Sequence, residues 1–383
     1  FAPLHTGAHL MGIYGCTEVM PTVPQVLVFD TAFHQTMPEK AYFYPLSYDM
    51  YEDYKIRRYG AHGTSHRYVS AIMREILAKE GKTEDTKIIT CHLGNGSSIS
   101  AVRDGKCVDT SMGLTPLEGV EMGTRCGSID PAIVTFIMEK KGYTPAEMND
   151  YMNKKCGFLG VSGISSDSRD IEAAILEGNP LARRAAFTLA YQIKKYIGSY
   201  TAAMDGVDAI VWTAGMGENN TELRDRACSG LEFFGVKINT ELNAKIHHQS
   251  ETVEISTPDS KVKVYVLPTN EELMIANLSA TTPEEAIAEL AKAMSDNKFI
   301  SNPEALVAAA MDREQILSTA MGEGLWLSAG WFVFAEDGSA TVWKQGGNSR
   351  LSAQAVTLGE YNENYDCYRV LEGLTEEDYI AWP

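Results

Sequence analysis

The 383-residue chain is short of several things, and each shortage closes off a class of protein. It has no run of 18 apolar residues and no charged-then-apolar leader, so neither a membrane span nor a secretory signal is expected. Cysteine occurs only at 16, 91, 107, 126, 156, 228 and 367, an odd number with no CxxC. That usage predicts reduced thiols in a cytosolic compartment and no zinc site. Basic residues are outnumbered, 33 Lys and Arg against 51 Asp and Glu, for a net charge of −18. A general nucleic-acid binder is thereby disfavoured, although an acidic protein can hold an anion in a local basic pocket. There is no GxxxxGK followed by Ser or Thr, no HRD and no DFG, which excludes a P-loop enzyme and a protein kinase. The glycine runs also lack GxGxxG with an acidic residue at the matching offset, so an oxidoreductase has little support. No repeat of 20–50 residues is visible.

What remains is an ordinary globular composition, 44% hydrophobic and 22% charged, long enough for two or three units. The chain opens FAPLHTGAHLMGIYG, without Met, which reads as processing or a missing segment. Residues 24–29 read as a strand ending at Asp30. In 65–80, Val69, Ile72, Met73, Ile76 and Leu77 form one apolar stripe, the mark of an amphipathic helix. Strands are expected at 86–91, 97–103 and 106–110. Helices are expected from Pro131 to about 141 and from Thr144, whose Pro145 and Glu147 complete a capping-box pattern. Leu181, Ala185, Leu189, Ile193 and Ile197 recur every four residues, predicting a long helix over 180–204. A strand at 208–215, a GMGEN turn, a helix from about 221 and a strand in 261–272 complete an interleaved α/β pattern. Asp30, Gly215 and Asn270 fall at strand carboxyl ends, where open sheets of this class bind ligands.

Residues 277–383 differ in texture, with six Lys and Arg against 17 Asp and Glu and four of the five tryptophans. Helices opening near Thr282 and Asn302 precede strand-like sequence holding Trp326, Trp331 and Trp343, which suit a packed sheet as well as a binding face. The expected domains are therefore 1–276 and 277–383.

Several short stretches carry candidate chemistry. His92-Leu93-Gly94-Asn95-Gly96-Ser97-Ser98 sits between strands, and reads either as a structural hairpin or as a cradle of backbone amides for phosphate. Gly215-Met216-Gly217-Glu218-Asn219, between a strand and a helix, suits phosphate or serves as punctuation. Arg125 lies between glycines in MGTRCG, where a guanidinium matches a planar anion, or is simply a surface arginine. Asp30 ends its strand and can take a proton, hold a metal through water or cap a turn. His62 precedes a glycine and can donate to a transferring group, while His66 suits packing or capping. Asp167-Ser168-Arg169 occupies a polar turn in which Arg169 can stack on a base. Glu271 suits Mg²⁺ through ordered water, against a plain capping box of Thr269 with Glu272. Two Gly-rich turns, an arginine, an Asp and a Glu are together what phosphoryl transfer requires.

The stretches APLH, VFDTAFHQTMP, YGAHGTSH, HLGNGSS, MGLTPLEGVEMGTRCGSIDPAIV, SGISSDSRDIE, TAGMGENN and PTNEELMIA, in this order from about residue 2 to 276, resemble the acetate kinase family. That family lies within the superfamily of acetate and sugar kinases, heat-shock ATPases and actin (ASKHA). The resemblance implies reversible phosphoryl transfer between ATP and acetate, giving acetyl phosphate and ADP. It implies Asp30 as catalytic carboxylate, with His62 and Arg125 stabilising the transferring phosphoryl. His92, Leu93, Gly94, Asn95 and Gly96 would line the ATP phosphates, with Asp167, Ser168 and Arg169 near the adenosine. Gly215, Met216, Gly217, Glu218 and Asn219 would form the second nucleotide loop, and Glu271 would hold Mg²⁺. It further implies a cytoplasmic homodimer or a chain completed by a partner, with no nucleic-acid or membrane role. The expected fold is the C-terminal half of an ASKHA protein, with a ribonuclease H-like mixed sheet, plus a separate α+β tail. On this reading the chain lacks the family's usual N-terminal half, carries a tail matching nothing in the family, and is either an active enzyme or a defective nucleotide-binding fragment or scaffold. Ala61 replaces a Phe usual in the family and Thr6-Gly7 an Asn-Pro, which points to an altered acyl pocket and a propionate or other short-chain carboxylate kinase as an alternative.

Overall fold

The computed structural model describes residues 3–19, 27–271, 274, 325–328, 333–334, 339–345, 351–362, 367–372 and 380–381. The chain divides into two compact units, Phe1–Glu289 and Leu290–Pro383.

The first unit is built on six strands: β1 (Lys87–Leu93), β2 (Ser97–Arg103), β3 (Lys106–Thr110), β4 (Ala209–Thr213), β5 (Val253–Glu254) and β6 (Lys263–Val266). Their order across the sheet is β3-β2-β1-β4-β6-β5. The first three strands form an antiparallel meander, β4 and β6 add in parallel to β1, and β5 closes the far edge antiparallel to β6. The sheet is mixed. Alternation along β1 sends Ile89, Cys91 and Leu93 to one face, where they pack with Ala185, Leu189, Ile193 and Ile197 of the long helix Pro180–Ala203. That helix is capped by Asn179, whose side chain accepts from the amides of Leu181 and Ala182, and it buries the four-residue stripe read from the sequence. On the opposite face Ile88, Val102, Ala209 and Val211 meet Val69, Met73 and Leu77 of the helix Gly63–Lys79. The helix Pro131–Lys141 is capped by Asp130, and Pro145–Lys154 carries the full Thr144–Glu147 capping box.

Three local expectations are corrected. Leu27–Phe29 is not a strand, and none of the six strands pairs with it; residues 24–26 lie outside the described residues. The GMGEN turn is itself a helix, Ala214–Asn219, entered through Ala214 at φ +62°. Asp167-Ser168-Arg169 is a helix start: Asp167 caps Ser168–Leu176 by accepting from the Arg169 amide.

The expected fold class is corrected as well. The mixed α/β body is not the C-terminal half expected for it; its described strands all fall between residues 87 and 266, so it fills the N-terminal and central chain. In the second unit, the described residues form strands Leu325–Ser328, Val333–Phe334, Ala340–Gln345, Leu351–Asn362, Cys367–Glu372 and Ile380–Ala381, paired antiparallel. This is a small C-terminal addition, in which Trp326 and Trp343 stand on strands. The helices expected near Thr282 and Asn302, and Trp331, lie outside the described residues.

Candidate functional site

The HLGNGSS stretch is a hairpin: Leu93 pairs with Ser97 across a three-residue loop, closed by the Gly94 amide donating to the Gly96 carbonyl at 3.0 Å. Hairpin and cradle are therefore not alternatives, since the loop presents a glycine to the side chains around it. A Cβ built on Gly96 would lie 3.3 Å from His62 Nε2 and 3.3 Å from Arg125 Nη1. The two predicted donors converge on one missing methyl group.

His62 precedes the first residue of the helix Gly63–Lys79 at φ +94°, a conformation that costs a non-glycine residue energy and turns its ring inward. Its ring stacks on His92 with centroids 4.2 Å apart. Its Nδ1 lies 2.8 Å from Ser98 Oγ, which also lies 2.7 Å from His66 Nε2 and 3.3 Å from the Ala61 carbonyl. His66 Nδ1 in turn lies 2.7 Å from Thr90 Oγ1, itself 3.4 Å from the Ser100 carbonyl. Burial holds His66 well below its ordinary pKa, so it is neutral and carries one ring proton. Each hydroxyl proton is assigned to a ring nitrogen, the nearer contact, and not to the longer contacts of Thr90 with the Ser100 carbonyl and of Ser98 with the Ala61 carbonyl. Thr90 donates to His66 Nδ1, His66 Nε2 donates to Ser98, and Ser98 donates to His62 Nδ1. A neutral His62 then carries its proton on Nε2, the atom facing Gly96.

Beside this chain, His92 Nδ1 lies 2.8 Å from Ser65 Oγ, which contacts Thr269 Oγ1 at 2.8 Å. Burial lowers His92 to about 3 and His34 to about 4. His34 holds the Ala61 carbonyl at 3.2 Å through Nε2, steadying the residue before His62. Arg125 is half-buried; its Nη1 donates to the Pro116 carbonyl at 3.1 Å, and burial lowers its pKa. Close by in sequence, Glu121 is buried with neither carboxylate oxygen hydrogen-bonded, and burial raises it to about 8. Its carboxyl is accordingly neutral at pH 7.

Asp30 is exposed and accepts from Thr64 Oγ1 at 3.3 Å, while its carbonyl lies where a Cβ on Gly63 would fall, 2.0 Å away. A small open depression lies alongside, lined by Val28, Phe29, Phe33, Gly63, Thr64 and Arg67 among others, and does not include His62 or Arg125. The second glycine turn ends β4, which lies next to β1. Glu218 bends back so that Oε1 accepts from the Ala214 amide at 2.7 Å and the Thr269 amide at 3.3 Å. Gly217 packs against the Cys91 carbonyl, 3.3 Å from a built Cβ, and Asn219 accepts from the His248 amide at 2.7 Å. Asn95 is exposed on the hairpin and its carbonyl accepts from the Gly123 amide at 3.3 Å. Arg169 is fully exposed and chelates its own cap, Asp167, with Nε 3.0 and 3.1 Å from the two carboxylate oxygens. Glu271 opens a helical turn just past Thr269 and Asn270.

The structure thus gathers His62, His92, Gly96 and Arg125, and ties the 214–219 turn to Thr269 beside them. It does not show contact between this group and Asp167, Ser168 or Arg169. Sequence reading missed the hydroxyls of Ser65 and Thr90, and gave Ser98 and Thr269 other parts, a polar contact in the glycine loop and a capping box. The available signal was alternation: Thr90 and His92, like Ser98 and Ser100, occupy the face of β1 and β2 that bears Ile88 and Val102. Thr269 bonds Ser65 and Glu218; the alternative capping box involves Glu272, which lies outside the described residues. Among the described residues no group of three His, Cys, Asp or Glu side chains is placed to hold a metal. No described helix is long and apolar enough to cross a membrane.

Residues 1–277 match the Acetokinase family. The chain belongs to that family. The acetate kinase of Thermotoga maritima is 60% identical over 276 residues, covering 72% of this chain and 68% of the relative. That of Methanosarcina thermophila is 58% identical over 275 residues, covering 72% and 66%. Among solved structures, the acetate kinase of Porphyromonas gingivalis aligns with a TM-score of 0.67 at 50% identity, over 72% of this chain and 68% of the other. A propionate kinase from Francisella tularensis aligns at 0.66 and 43% identity, with the same coverage. The chain spans about two thirds of the length of these relatives. These matches support acetate-kinase-like phosphoryl transfer. They also correct the expected organisation. The family match begins at residue 1 and takes in most of the chain, so its N-terminal and main part is the family region, and the description as a chain lacking its N-terminal half does not stand. Nor is all that follows unmatched: residues 268–328 match the phosphoenolpyruvate-dependent sugar phosphotransferase system EIIA 2 family.

Proposed function

We propose that this chain moves a phosphoryl group reversibly between ATP and acetate, through the space above Gly96. The observation that carries this is the convergence of His62 Nε2 and Arg125 Nη1 on that glycine, at a hairpin bordered by the second glycine turn. A transferring phosphoryl spreads negative charge over its equatorial oxygens, and preorganised donors in a half-dry site stabilise that charge. Arg125 supplies a guanidinium already desolvated on one side. His62 supplies a ring N–H at Nε2, the nitrogen that faces Gly96 while Nδ1 is held by Ser98. The acetate oxygen is ionised at neutral pH, so Asp30 serves to position the substrate and its cation and is not an obligatory base.

The hairpin residues His92–Gly96 and the turn Gly215–Asn219 line the phosphates in this reading, with Asp167, Ser168 and Arg169 toward the adenosine. Mg²⁺ fits the donors present: it retains much of its water and needs only one or two carboxylates beside substrate phosphates. Asp30 and Glu271 would be those carboxylates, and the cation would neutralise phosphate charge. Residues 1–276 form the catalytic region and 277–383 a separate acidic unit. Phe136, Leu176 and Tyr191 are 59%, 90% and 63% exposed, in keeping with a homodimer, and reliance on ATP accords with a cytoplasmic setting.

Propionate as phosphoryl acceptor is a second reading, favoured by the propionate kinase likeness and by Ala61 beside His62. The test is ATP formation from acetyl phosphate, ADP and Mg²⁺, and from propionyl phosphate in parallel, beside an Arg125→Ala variant. Formation by the parent chain and a loss of roughly 10²–10³-fold in the variant is expected. No ATP from either donor, with ADP still bound, would reduce the chain to a nucleotide binder.

A further inference from the structure

Two thiols stand on the segments that frame Arg125. The strip 122–126 and the segment 152–159 are stitched together by backbone bonds, from Cys126 to the Met152 carbonyl and from Cys156 to the Thr124 carbonyl, both at 3.0 Å. Phe158 and Leu159 donate likewise to Met122 and Gly123, at 2.9 and 3.0 Å, and Thr124 Oγ1 donates to the Asn153 carbonyl at 2.8 Å. This stitching sets Cys126 and Cys156, both half-exposed, on adjoining segments, where each thiol perturbs the other and Tyr151 acts on Cys156; the Cys126 thiol donates to the Gly127 carbonyl at 3.2 Å. The other described cysteines differ: Cys91, Cys107 and Cys228 are buried and Cys16 is exposed on a separate helix.

The structure assigns Cys126 and Cys156 as a reversible oxidation site, at which a peroxide closes a disulfide across the base of the Arg125 turn. The two sulfurs are unequal. The Cys126 thiol keeps its proton on the Gly127 carbonyl at 3.2 Å, and its neighbours draw the Cys156 thiol down against the effect of burial while Cys126 is pushed up. Cys156 is accordingly assigned as the attacking thiolate and Cys126 as the resolving thiol. In the first step the Cys156 sulfur takes one oxygen of hydrogen peroxide, breaking the O–O bond and releasing hydroxide, which gives a sulfenic acid. In the second the Cys126 sulfur attacks that sulfenic sulfur and breaks its S–O bond, and the departing hydroxyl takes up the Cys126 proton and leaves as water. Two thiols and one peroxide become one disulfide and two waters once the hydroxide is protonated, so electrons and atoms balance. By contrast, burial pushes Cys228 up to about 12 and raises Cys91 and Cys107, so those three react slowly.

Closure would fix the residue next to Arg125 to the segment under it and hold the turn in one arrangement. That consequence rests on the role proposed for Arg125; the crosslink does not. The experiment treats the full chain with hydrogen peroxide, quenches it by acid alkylation and maps cysteines by mass spectrometry. A dithiothreitol-reversible 126–156 crosslinked peptide, with Cys91, Cys107 and Cys228 still alkylated, is expected. In Cys126→Ser, Cys156 should accumulate a sulfenic acid trapped by dimedone. Both thiols alkylated independently after oxidation, or converted to sulfinic acid with no crosslink, would overturn the assignment. A dimedone adduct on Cys126 of Cys156→Ser, with none on Cys156 of Cys126→Ser, would overturn the order of attack. Turnover measured on oxidised and re-reduced chain is expected to change several-fold; an unchanged rate would overturn the link to Arg125. A reduced chain with no turnover would count against the proposed function and leave the crosslink result standing.

Discussion

One helix and one sheet face meet in two different ways within a few residues. At the end of the interface near the start of β1, Val69, Met73 and Leu77 pack on Ile88, Val102, Ala209 and Val211 as a dry apolar core. At the other end, the same helix presents Ser65 and His66 to Thr90, His92 and Ser98, and almost every contact is a hydrogen bond of 2.7–2.8 Å. The strands keep a single alternation throughout; only the residue type changes. An apolar contact tolerates small shifts, whereas a hydroxyl shared between two rings has one good position. The polar end therefore specifies geometry, here the proton position on His62, and the apolar end supplies the stability that lets it do so.

Truncation at the dry end should have the largest effect on stability. Met73→Ala leaves a cavity where the residue is fully buried and should cost about 2–5 kcal/mol in chemical unfolding, with phosphoryl transfer kept at low temperature. Loss of transfer out of proportion to stability would break the distinction between the two ends.

Acid attacks only the polar end. His34, at about 4 when folded against 6.5 unfolded, binds fewer protons in the native state, so the stability it confers is complete above pH 6.5 and falls as the pH drops toward 4. That amounts to roughly 3 kcal/mol for this group, with His92 and His66 acting in the same sense. Glu121 works oppositely: its folded value of about 8 against 4.5 means stability is lost as pH rises from 4.5 through 8. Unfolding midpoints across pH 4–9 should pass through a maximum. In Glu121→Gln the alkaline side should flatten while the acid side is unchanged.

Ser98→Ala removes the hydroxyl shared by His62 and His66 and leaves a buried ring nitrogen unsatisfied, a loss of about 1–3 kcal/mol. Nitrogen-15 spectra of labelled histidines sharpen the comparison: the parent chain should show His62 protonated at Nε2, and the variant a mixture of tautomers. His62 protonated at Nδ1 in the parent chain would contradict the assigned proton chain.

The dry end was legible in the sequence, since Val69, Met73 and Leu77 keep helical spacing and the strand runs are apolar and bounded by turns. Capping was legible too: Thr144, Pro145 and Glu147 form the structure their spacing requires. The polar end was legible only as a list of motifs. Nothing local says that Ser98 serves two histidines, one from each end of the His62–His66 turn, because that depends on the placing of a helix against a strand some thirty residues on. Gly215–Asn219 was misread for a related reason. Glycine marked the turn correctly, but Glu218 capping its own helix from within made that turn helical. The absent ladder at Leu27–Phe29 and the exposed Asp167–Arg169 clasp depend on what lies beside them, which spacing does not record.

The central claim is that the phosphoryl passes between His62 and Arg125 over a glycine that leaves room for it. Gly96→Ala tests it directly, since the added methyl would stand 3.3 Å from both donors while the hairpin, whose glycine is not at positive φ, can keep its turn. Transfer from acetyl phosphate to ADP should fall by about 10²-fold or more, with the unfolding midpoint and ADP affinity close to those of the parent chain. Full turnover in Gly96→Ala would mean that the reaction runs elsewhere.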